Sequence, residues 1–218
     1  MPSFHCSAIL FDLDGVLLDS TRAVAEQYTN WAREHGFDPA EVMKAAHGVR
    51  TVEVIRRVAP HLDPVAETKK IEDREAVATN VVAMAGAVAL LNSIPRGRWC
   101  VVTSGTRFLA TTRMRKFGIP IPEVLVTAED VKNGKPDPEP YRKGAELLKV
   151  NPATCVVVED APAGIRSAHA AGMKVISLPT TYPVAELHEA DVIVSGLSNI
   201  QVSLDGAGPK AMLFVSWS

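Results

Sequence analysis

The sequence has 218 residues, of which 47% are hydrophobic and 22% charged, and 23 basic and 25 acidic residues give a formal net charge of -2. This length exceeds the usual domain of about 100 to 150 residues but falls short of two large domains, so it predicts one core with a modest insertion. Because neither charge sign forms a long run, the sequence gives no electrostatic reason to bind nucleic acid or a membrane surface, and small molecules are the expected partners.

The N-terminus and the apolar runs favour a cytoplasmic protein. The N-terminus lacks the basic, apolar and small-residue regions of a secretory signal. The longest apolar run, Val81–Leu91, is far shorter than the roughly 20 residues of a membrane-spanning helix. Cys6, Cys100 and Cys155 are odd in number and lie in or beside apolar runs, which predicts free, buried thiols. Oligomeric state has no clear signature, and a monomer is favoured.

Runs rich in β-branched residues predict buried strands, in chain order at Ser7–Phe11, Trp99–Thr103, Glu123–Val126, Thr154–Val158, Lys174–Leu178 and Asp191–Val194. Segments of helical period between the later strands predict helices at Thr106–Phe117, Pro138–Lys149 and Pro162–Ala171. This alternation predicts an α/β fold, a doubly wound, Rossmann-like parallel sheet with helices on both faces.

The first strand is not followed by a second one directly. Ser20–Asn80 has only helical patterns, which predicts a small all-helical cap inserted after the first strand. The predicted domains are therefore a cap at 18–84 and a core at 1–17 and 85–218. The tail, Leu204–Val215, turns at Asp205-Gly206 and is predicted to form a hairpin that completes the edge of the sheet.

Two carboxylates follow the first predicted strand, in the segment Asp12-Leu13-Asp14-Gly15. Residues two apart in an extended chain face the same side, and open α/β sheets bind their ligands at the carboxyl ends of the strands. Two like charges so close need a cation or a shared proton. The alternative interpretation is an ordinary strand-to-turn sequence.

Small hydroxyl residues end the second predicted strand, at Thr103-Ser104-Gly105-Thr106. The helix that follows would present free N–H groups and a partial positive charge, which suit a phosphate oxygen. Alternatively, Ser104 or Gly105 only caps that helix.

Lys135 stands between Gly134 and Pro136, just ahead of a predicted helix. A cation fixed near two acids would balance their charge and that of a transferring phosphoryl group. Alternatively, Lys135 is a solvated loop residue.

A second acidic pair, Glu159-Asp160, follows another buried strand, and Asp160 could instead cap the helix that begins at Pro162. All four motifs lie at or soon after the carboxyl end of a strand, so a parallel sheet would gather them at one edge. The acidic cluster offers hard oxygen ligands without a set of His or Cys, which favours Mg²⁺ over zinc.

The order and spacing of these motifs resemble the haloacid dehalogenase superfamily, whose phosphatase branch carries Asp-x-Asp-Gly, a Ser or Thr after the second strand, a Lys and a late acidic pair. The resemblance implies that Asp12 is a nucleophile that forms an aspartyl-phosphate. Asp14 would protonate the leaving alcohol and then activate water. The phosphoryl group would be held by Ser104, Gly105 and Lys135.

The resemblance also implies a Mg²⁺ cofactor. Its ligands would be Asp12, the backbone carbonyl of Asp14 and Asp160, with Glu159 supporting from beside or behind. The helical insertion resembles the small cap of the family, in which His47 and Arg50 are candidates for recognising the non-reacting end of the substrate. The alternative for this pair is a solvated turn.

The expected function is hydrolysis of small sugar or polyol phosphates, because segments of the chain resemble glycerol-phosphate, 2-deoxyglucose-6-phosphate and bacterial sugar phosphatases. A β-phosphoglucomutase-like isomerase shares every motif and is the alternative. A non-catalytic binding protein on the same fold is the third hypothesis, and it would be favoured only if the acids or Lys135 were replaced.

Overall fold

The structure is a computed structural model that describes residues 2–46, 48–206 and 211–218. Within these residues the central sheet has six strands, all parallel, which confirms the predicted α/β fold. Numbered in chain order, and given in their order across the sheet, the strands are β6 (Leu125–Val126), β5 (Trp99–Val102), β2 (Ala8–Phe11), β7 (Cys155–Glu159), β8 (Lys174–Ser177) and β9 (Val192–Ile193).

Both faces of this sheet are covered because its strands are continuous apolar runs. Successive residues of β2 belong to different cores: Ile9 and Phe11 lie in one apolar cluster and Leu10 lies in the other. The first cluster includes residues of α5 (Ala87–Ser93) and α6 (Arg107–Lys116), and the second includes residues of α7 (Glu139–Leu148) and α8 (Pro162–Ala170). The central sheet is therefore packed on both faces, which fixes the position of its carboxyl edge.

The segment 18–84, here called the helical insertion, contains α1 (Thr21–Glu34), α2 (Pro39–Ala46), α3 (Thr51–Val58) and α4 (Pro64–Val77). These helices share their own apolar cluster, which includes Trp31, Ile55 and Ile71. At its two ends β3 (Leu18–Asp19) pairs antiparallel with β4 (Val82–Ala83), so the chain enters and leaves the insertion side by side. Strands of two residues leave no periodic pattern, and the sequence analysis missed this pair.

The tail differs in part from the prediction. β10 (Ile200–Asp205) and β11 (Met212–Trp217) pair antiparallel, which confirms the hairpin, while 207–210 lie outside the described residues. The expectation that the hairpin completes the main sheet is wrong: with β1 (Ser3–Cys6) it forms a separate antiparallel sheet of three strands in the described chain. Alternate residues of β11, namely Leu213, Val215 and Trp217, belong to the main apolar cluster, so one face of this small sheet packs on the main core.

The three cysteines are buried and free, as predicted. Burial raises the pKa of the Cys155 thiol to about 12, which keeps it protonated at neutral pH.

Over the described ranges, no helix has the length and apolar character needed to cross a membrane.

Candidate active site

Asp12 and Lys135 meet at the carboxyl edge of the sheet. Asp12 follows β2 directly, and its N–H donates to the carbonyl of Val158 in β7 (3.0 Å), which fixes its backbone. Lys135 Nζ donates to Asp12 Oδ1 (2.5 Å), Glu159 Oε1 (2.7 Å) and the carbonyl of Val102 (3.1 Å). An ammonium group has three donors, so all of them are used. Lys135 is only 2% exposed, and the solvated-loop alternative is wrong.

The charges of this group are not balanced. Burial raises the pKa of Asp12 to about 7; the positive charge of Lys135 opposes this rise, and the negative charge of Glu159 adds to it. Burial works to lower the pKa of Lys135, but the charges of Asp12 and Glu159 outweigh it and raise the pKa above its ordinary value. Lys135 therefore stays positive, and it faces more than one carboxylate.

The Glu159 carboxylate positions its neighbours and has no oxygen left free to coordinate a metal ion. Its Oε1 accepts from Lys135 and from the hydroxyl of Tyr141 (2.9 Å), and its Oε2 accepts from the N–H groups of Asp160 (2.9 Å) and Ala161 (3.0 Å). Four donors satisfy the carboxylate. Glu159 thus fixes Lys135 on one side and the backbone of Asp160 on the other.

Asp160 is buried beside the first motif and does not cap α8. The N-cap residue of that helix is Ala161, which has no side-chain capping bond. Gly15 leaves the room that Asp160 needs, because a Cβ at Gly15 would lie 1.8 Å from Asp160 Oδ2. Burial, followed by the charges of Glu159 and Asp12, raises the pKa of Asp160 well above its usual range.

The residues at this edge suit a magnesium ion by their chemistry. In the part of the chain that the structure describes, no group of three or more His, Cys, Asp and Glu side chains could hold a metal. The predicted ligand set has only two carboxylates, Asp12 and Asp160, and adds the backbone carbonyl of Asp14. Mg²⁺ is commonly bound by one or two carboxylates with water and substrate phosphate, and here Asp12 and Asp160 are both buried while Lys135 forms its ion pair with Asp12.

The loop after β5 presents Ser104 and Gly105 to the same cavity. The N-cap residue of α6 is Thr106, whose side chain accepts from the N–H of Leu109 (3.3 Å), so Ser104 and Gly105 do not cap this helix. Ser104 Oγ donates to the carbonyl of Gly48 in the helical insertion (3.0 Å), and the Gly105 N–H donates to Thr103 Oγ1 (3.1 Å).

Asp14 is bound to an arginine that the sequence analysis missed. Asp14 Oδ1 accepts from Arg113 Nη1 (2.6 Å) and from Ser20 Oγ (2.7 Å), and Arg113 Nη2 donates to Glu75 Oε2 of α4 (3.1 Å). Arg113 is 1% exposed; burial works to lower its pKa, but the surrounding acids, Asp14 first, raise it. It is one of several basic residues in α6, and nothing in the sequence marks it as the buried one.

Two further acids reach the site from the helical insertion. Glu72 and Glu75 are three residues apart in α4, on one face of the helix, and both are buried. Glu72 accepts from the N–H of Thr106 (3.3 Å) and from its hydroxyl. Burial raises the pKa of Glu75 to about 7, Arg113 opposes the rise, and Asp14 and Glu72 add to it. A polar face on a helix is usually solvated, and the sequence analysis therefore gave these acids no role.

A cavity of about 100 Å³ lies between the sheet edge and the helical insertion. The core contributes Asp12, Asp14, Ser104, Gly105 and Asp160 to its wall, whereas the insertion contributes the residues Thr21, Val24, Tyr28, Val49, Glu72 and Glu75. The cavity thus has a wall of core acids at the strand ends and an opposite wall from the insertion.

Arg50 is not brought into this cavity. Its guanidinium donates to Glu53 in the next turn and to carbonyl oxygens of the core at Ala128 (3.3 Å), Val131 (3.1 Å) and Lys132 (2.7 Å). These bonds attach the insertion to the core outside the cavity. His47, the other predicted residue for substrate recognition, lies outside the described residues.

The fold and the site together define a class of α/β proteins that have an acidic cluster and a lysine at the strand ends and a helical insertion over them. A family model described as haloacid dehalogenase-like hydrolase matches residues 9–178. The chain belongs to this family, which confirms the resemblance noted in the sequence.

Relatives cover nearly the whole chain. Hexitol phosphatase A of Escherichia coli is 43% identical over 91% of this chain and 95% of its own, and glycerol-1-phosphate phosphohydrolase 2 of Saccharomyces cerevisiae is 37% identical over 92% and 86%. Among solved structures, CbbY from Rhodobacter sphaeroides in complex with phosphate has a TM-score of 0.78 at 24% identity, covering 88% of this chain and 95% of that one. This last similarity concerns the fold.

Proposed function

We propose that this protein is a Mg²⁺-dependent phosphatase that hydrolyses small sugar or polyol phosphates through an aspartyl-phosphate on Asp12. The observation that carries the proposal is the contact of Asp12 Oδ1 with a fully buried Lys135 at the carboxyl end of β2. This arrangement fixes a carboxylate and a cation where a phosphoryl group would enter from the cavity, and a fixed cation stabilises the charge that develops in the transition state.

The reaction divides into two displacements. In the first, Asp12 attacks phosphorus, the bond to the leaving oxygen breaks, and Asp14 gives that oxygen a proton. In the second, Asp14 takes a proton from water, the resulting hydroxide attacks phosphorus, and Asp12 leaves as a carboxylate. Ser104 would hold a phosphoryl oxygen, and Lys135, which Glu159 keeps in place, would exchange its bond to Asp12 for a second one.

Mg²⁺ would be held by the carboxylates of Asp12 and Asp160 and by the backbone carbonyl of Asp14. When bound, it would neutralise negative charge on the phosphoryl group and on the two acids. The raised pKa values of both acids show that burial leaves their negative charge poorly compensated by Lys135 alone.

The helical insertion at 18–84 would act as the cap of a core made of 1–17 and 85–218. Ser104 would exchange its bond to the Gly48 carbonyl for a phosphoryl oxygen, at a cavity that lies between insertion and core. A shift of the insertion would accompany that exchange, as is common in enzymes with lids.

The choice of substrate class rests on the relatives, which are named for hexitol and glycerol-1-phosphate and cover almost the full chain. A cytoplasmic location and a monomeric state remain predictions from the sequence.

The test is phosphate release from a panel of sugar, polyol and nucleotide phosphates, with Mg²⁺ and with a chelator. We expect release from polyol or sugar monophosphates only with Mg²⁺. No release from any ester, or equal release with chelator, would contradict the proposal. Glucose-1-phosphate tests the mutase alternative in the same assay, since accumulation of glucose-6-phosphate with little free phosphate would favour an isomerase.

A further inference from the structure

Polar groups without partners line the cavity on both sides, Thr21 from the insertion and Arg113 from the core. In the described part of the chain, two buried side-chain polar atoms have no hydrogen-bond partner, Thr21 Oγ1 and Arg113 Nε, and both residues line this cavity. Glu75 also lines it, and the hydrogen bond that the structure gives its carboxylate among the described residues is the one from Arg113 to Oε2. Buried polar groups are normally satisfied, so unpaired ones gathered at one cavity indicate a polar ligand.

The position of Glu75 relative to the chemistry is fixed by one guanidinium group. Arg113 holds Asp14 Oδ1 at 2.6 Å with Nη1 and Glu75 Oε2 at 3.1 Å with Nη2. Asp14 is the proposed proton donor to the leaving oxygen, and Arg113 lies between Asp14 and Glu75. Glu75 would therefore lie near the carbon chain that a substrate carries on that oxygen. The other oxygen of Glu75, Oε1, is an acceptor for a hydroxyl group there.

We propose that Glu75, held by Arg113 and assisted by Thr21, recognises hydroxyl groups at the non-phosphate end of the substrate. It thereby selects polyol or sugar monophosphates, whose other end is uncharged, over substrates with a second anionic group. This inference rests on the proposed phosphatase function and adds the discrimination between neighbouring substrate classes. A site built to bind hydroxyls discriminates strongly, because its buried polar groups stay unpaired with the wrong ligand.

The charge around Arg113 supports the exclusion of a second anion. One guanidinium group faces Asp14 and Glu75 directly, and Glu72 lies on the same face of α4, so the acids outnumber this cation. The pKa of Glu75 is raised to about 7 by burial and then by the charges of Asp14 and Glu72. A carboxylate or second phosphate on a substrate would meet the same desolvation and the same repulsion.

The first arm of the test uses the wild-type protein with Mg²⁺ and measures kcat/KM for glycerol phosphate, a hexitol phosphate, 6-phosphogluconate, fructose-1,6-bisphosphate and p-nitrophenyl phosphate. We expect kcat/KM for the two polyol phosphates to exceed that for the two substrates with a second anionic group by roughly 10-fold or more, the scale of one charge-assisted hydrogen bond. Preference for the gluconate or the bisphosphate would overturn the inference, as would turnover of the aryl phosphate without turnover of any polyol phosphate. No turnover of any ester, the aryl phosphate included, would instead refute the proposed function.

The second arm uses Glu75→Gln, which keeps the shape and removes the charge. The ratio of kcat/KM for the hexitol phosphate to that for the aryl phosphate, which has no hydroxyl to recognise, should fall roughly 10- to 100-fold, and the ratio of gluconate to hexitol phosphate should rise. Glu75→Asp should restore part of the first ratio. Glu41→Gln, the same change at an exposed position of α2, should leave the ratios unchanged. An equal loss on both substrates in Glu75→Gln would show a merely structural role and overturn the inference.

Discussion

The two ends of the cavity are built differently. At the phosphate end Asp12, Lys135, Glu159 and Asp160 come from strand ends and adjoining loops of the core, and each was identified from a short motif. At the far end Glu72, Glu75 and Arg113 come from the middle of helices, and none was identified. The phosphate end is held by backbone geometry at the sheet edge, whereas the far end is assembled by the docking of α4 against α6.

Under the proposed function, one end of the cavity carries out the reaction and the other end selects the substrate. The phosphate end depends on the parallel sheet, which many sequences can build with the same few residues at the strand ends. The far end depends on which side chains the insertion presents, and these can change without disturbing the sheet. We therefore expect substitutions at the phosphate end to abolish the reaction or the fold. Substitutions at the far end should alter substrate preference and the attachment of the insertion to the core.

The largest effect should follow from Asp12→Asn. The amide keeps the shape and can still accept from Lys135, but it is not a nucleophile, so phosphate release should fall roughly 10⁴-fold or more. Stability should change little, because burial already raises the pKa of Asp12 to about 7 and opposes its charge. Phosphate release and urea unfolding measure the two effects.

Asp205→Asn is the control for that variant, because Asp205 is exposed in β10 and pairs only with His5 in the described residues. It should keep full activity. Magnesium-dependent phosphate release retained by Asp12→Asn would contradict both the mechanism and the division between the two ends, and would favour a non-catalytic role for Asp12.

Lys135→Met should give the next largest effect, on stability as well as on activity. Removing one partner of a buried ion pair leaves charges uncompensated and costs about 3 to 5 kcal/mol. Asp12 and Glu159 would both lose their cation here. Urea unfolding in the presence of a chelator measures the loss without a metal ion to replace the lysine.

Lys132→Met, an exposed lysine of the same loop, is the matched control and should change the free energy of unfolding by less than about 0.5 kcal/mol. Lys135→Met combined with Glu159→Gln should regain part of the loss, since one unpaired charge is removed. Equal stability of Lys135→Met and Lys132→Met would mean that Lys135 is solvated and that the buried cluster is misassigned.

The sequence predicted the sheet and the meeting of acids at its carboxyl edge because both follow from local patterns. A strand that is apolar on both faces, followed by acids, can be identified from a few residues, as Ala8–Phe11 with Asp12 and Cys155–Glu159 with Asp160 demonstrate. Arg113 could not be identified, because only the docking of α4 decides that this basic residue of α6 is buried. The placement of the tail failed for a related reason: strand pattern predicts a hairpin but not the sheet that it joins.

Arg50 is the residue for which sequence and structure give different roles, and Arg50→Met separates them. The structure has Arg50 attach the insertion to three core carbonyls, so its loss should cost about 1 to 3 kcal/mol, the scale of hydrogen bonds from a charged donor. It should also lower kcat/KM by a similar factor for polyol and aryl phosphates, because it weakens closure rather than recognition.

Arg56→Met is the control for Arg50→Met, since Arg56 is exposed on α3 and should leave stability and kcat/KM near the wild-type values. A loss confined to polyol phosphates in Arg50→Met would restore the hypothesis drawn from the sequence. It would also mean that the far end of the cavity extends beyond Glu75 toward the start of α3.

The smallest effect is the part of the pH dependence of stability that Glu75 contributes. The pKa of Glu75 is raised from an ordinary 4.5 to about 7, so between these values the folded protein binds a proton that the unfolded chain does not. Stability from this group is therefore greatest at low pH and falls as the pH rises from 4.5 to 7. Glu75→Gln should reduce that decline by about 1 to 3 kcal/mol in urea unfolding with a chelator.

Asp12 contributes a slope of the same sign, because its pKa is also raised to about 7. Subtracting the curve of Glu75→Gln from that of the wild type leaves the part that belongs to Glu75. Glu41→Gln should retain the full wild-type slope, because Glu41 is exposed. If Glu75→Gln retains it as well, Arg113 holds Glu75 ionised across this range, and the far end then carries a permanent negative charge that would repel a second anion even more strongly than its burial implies.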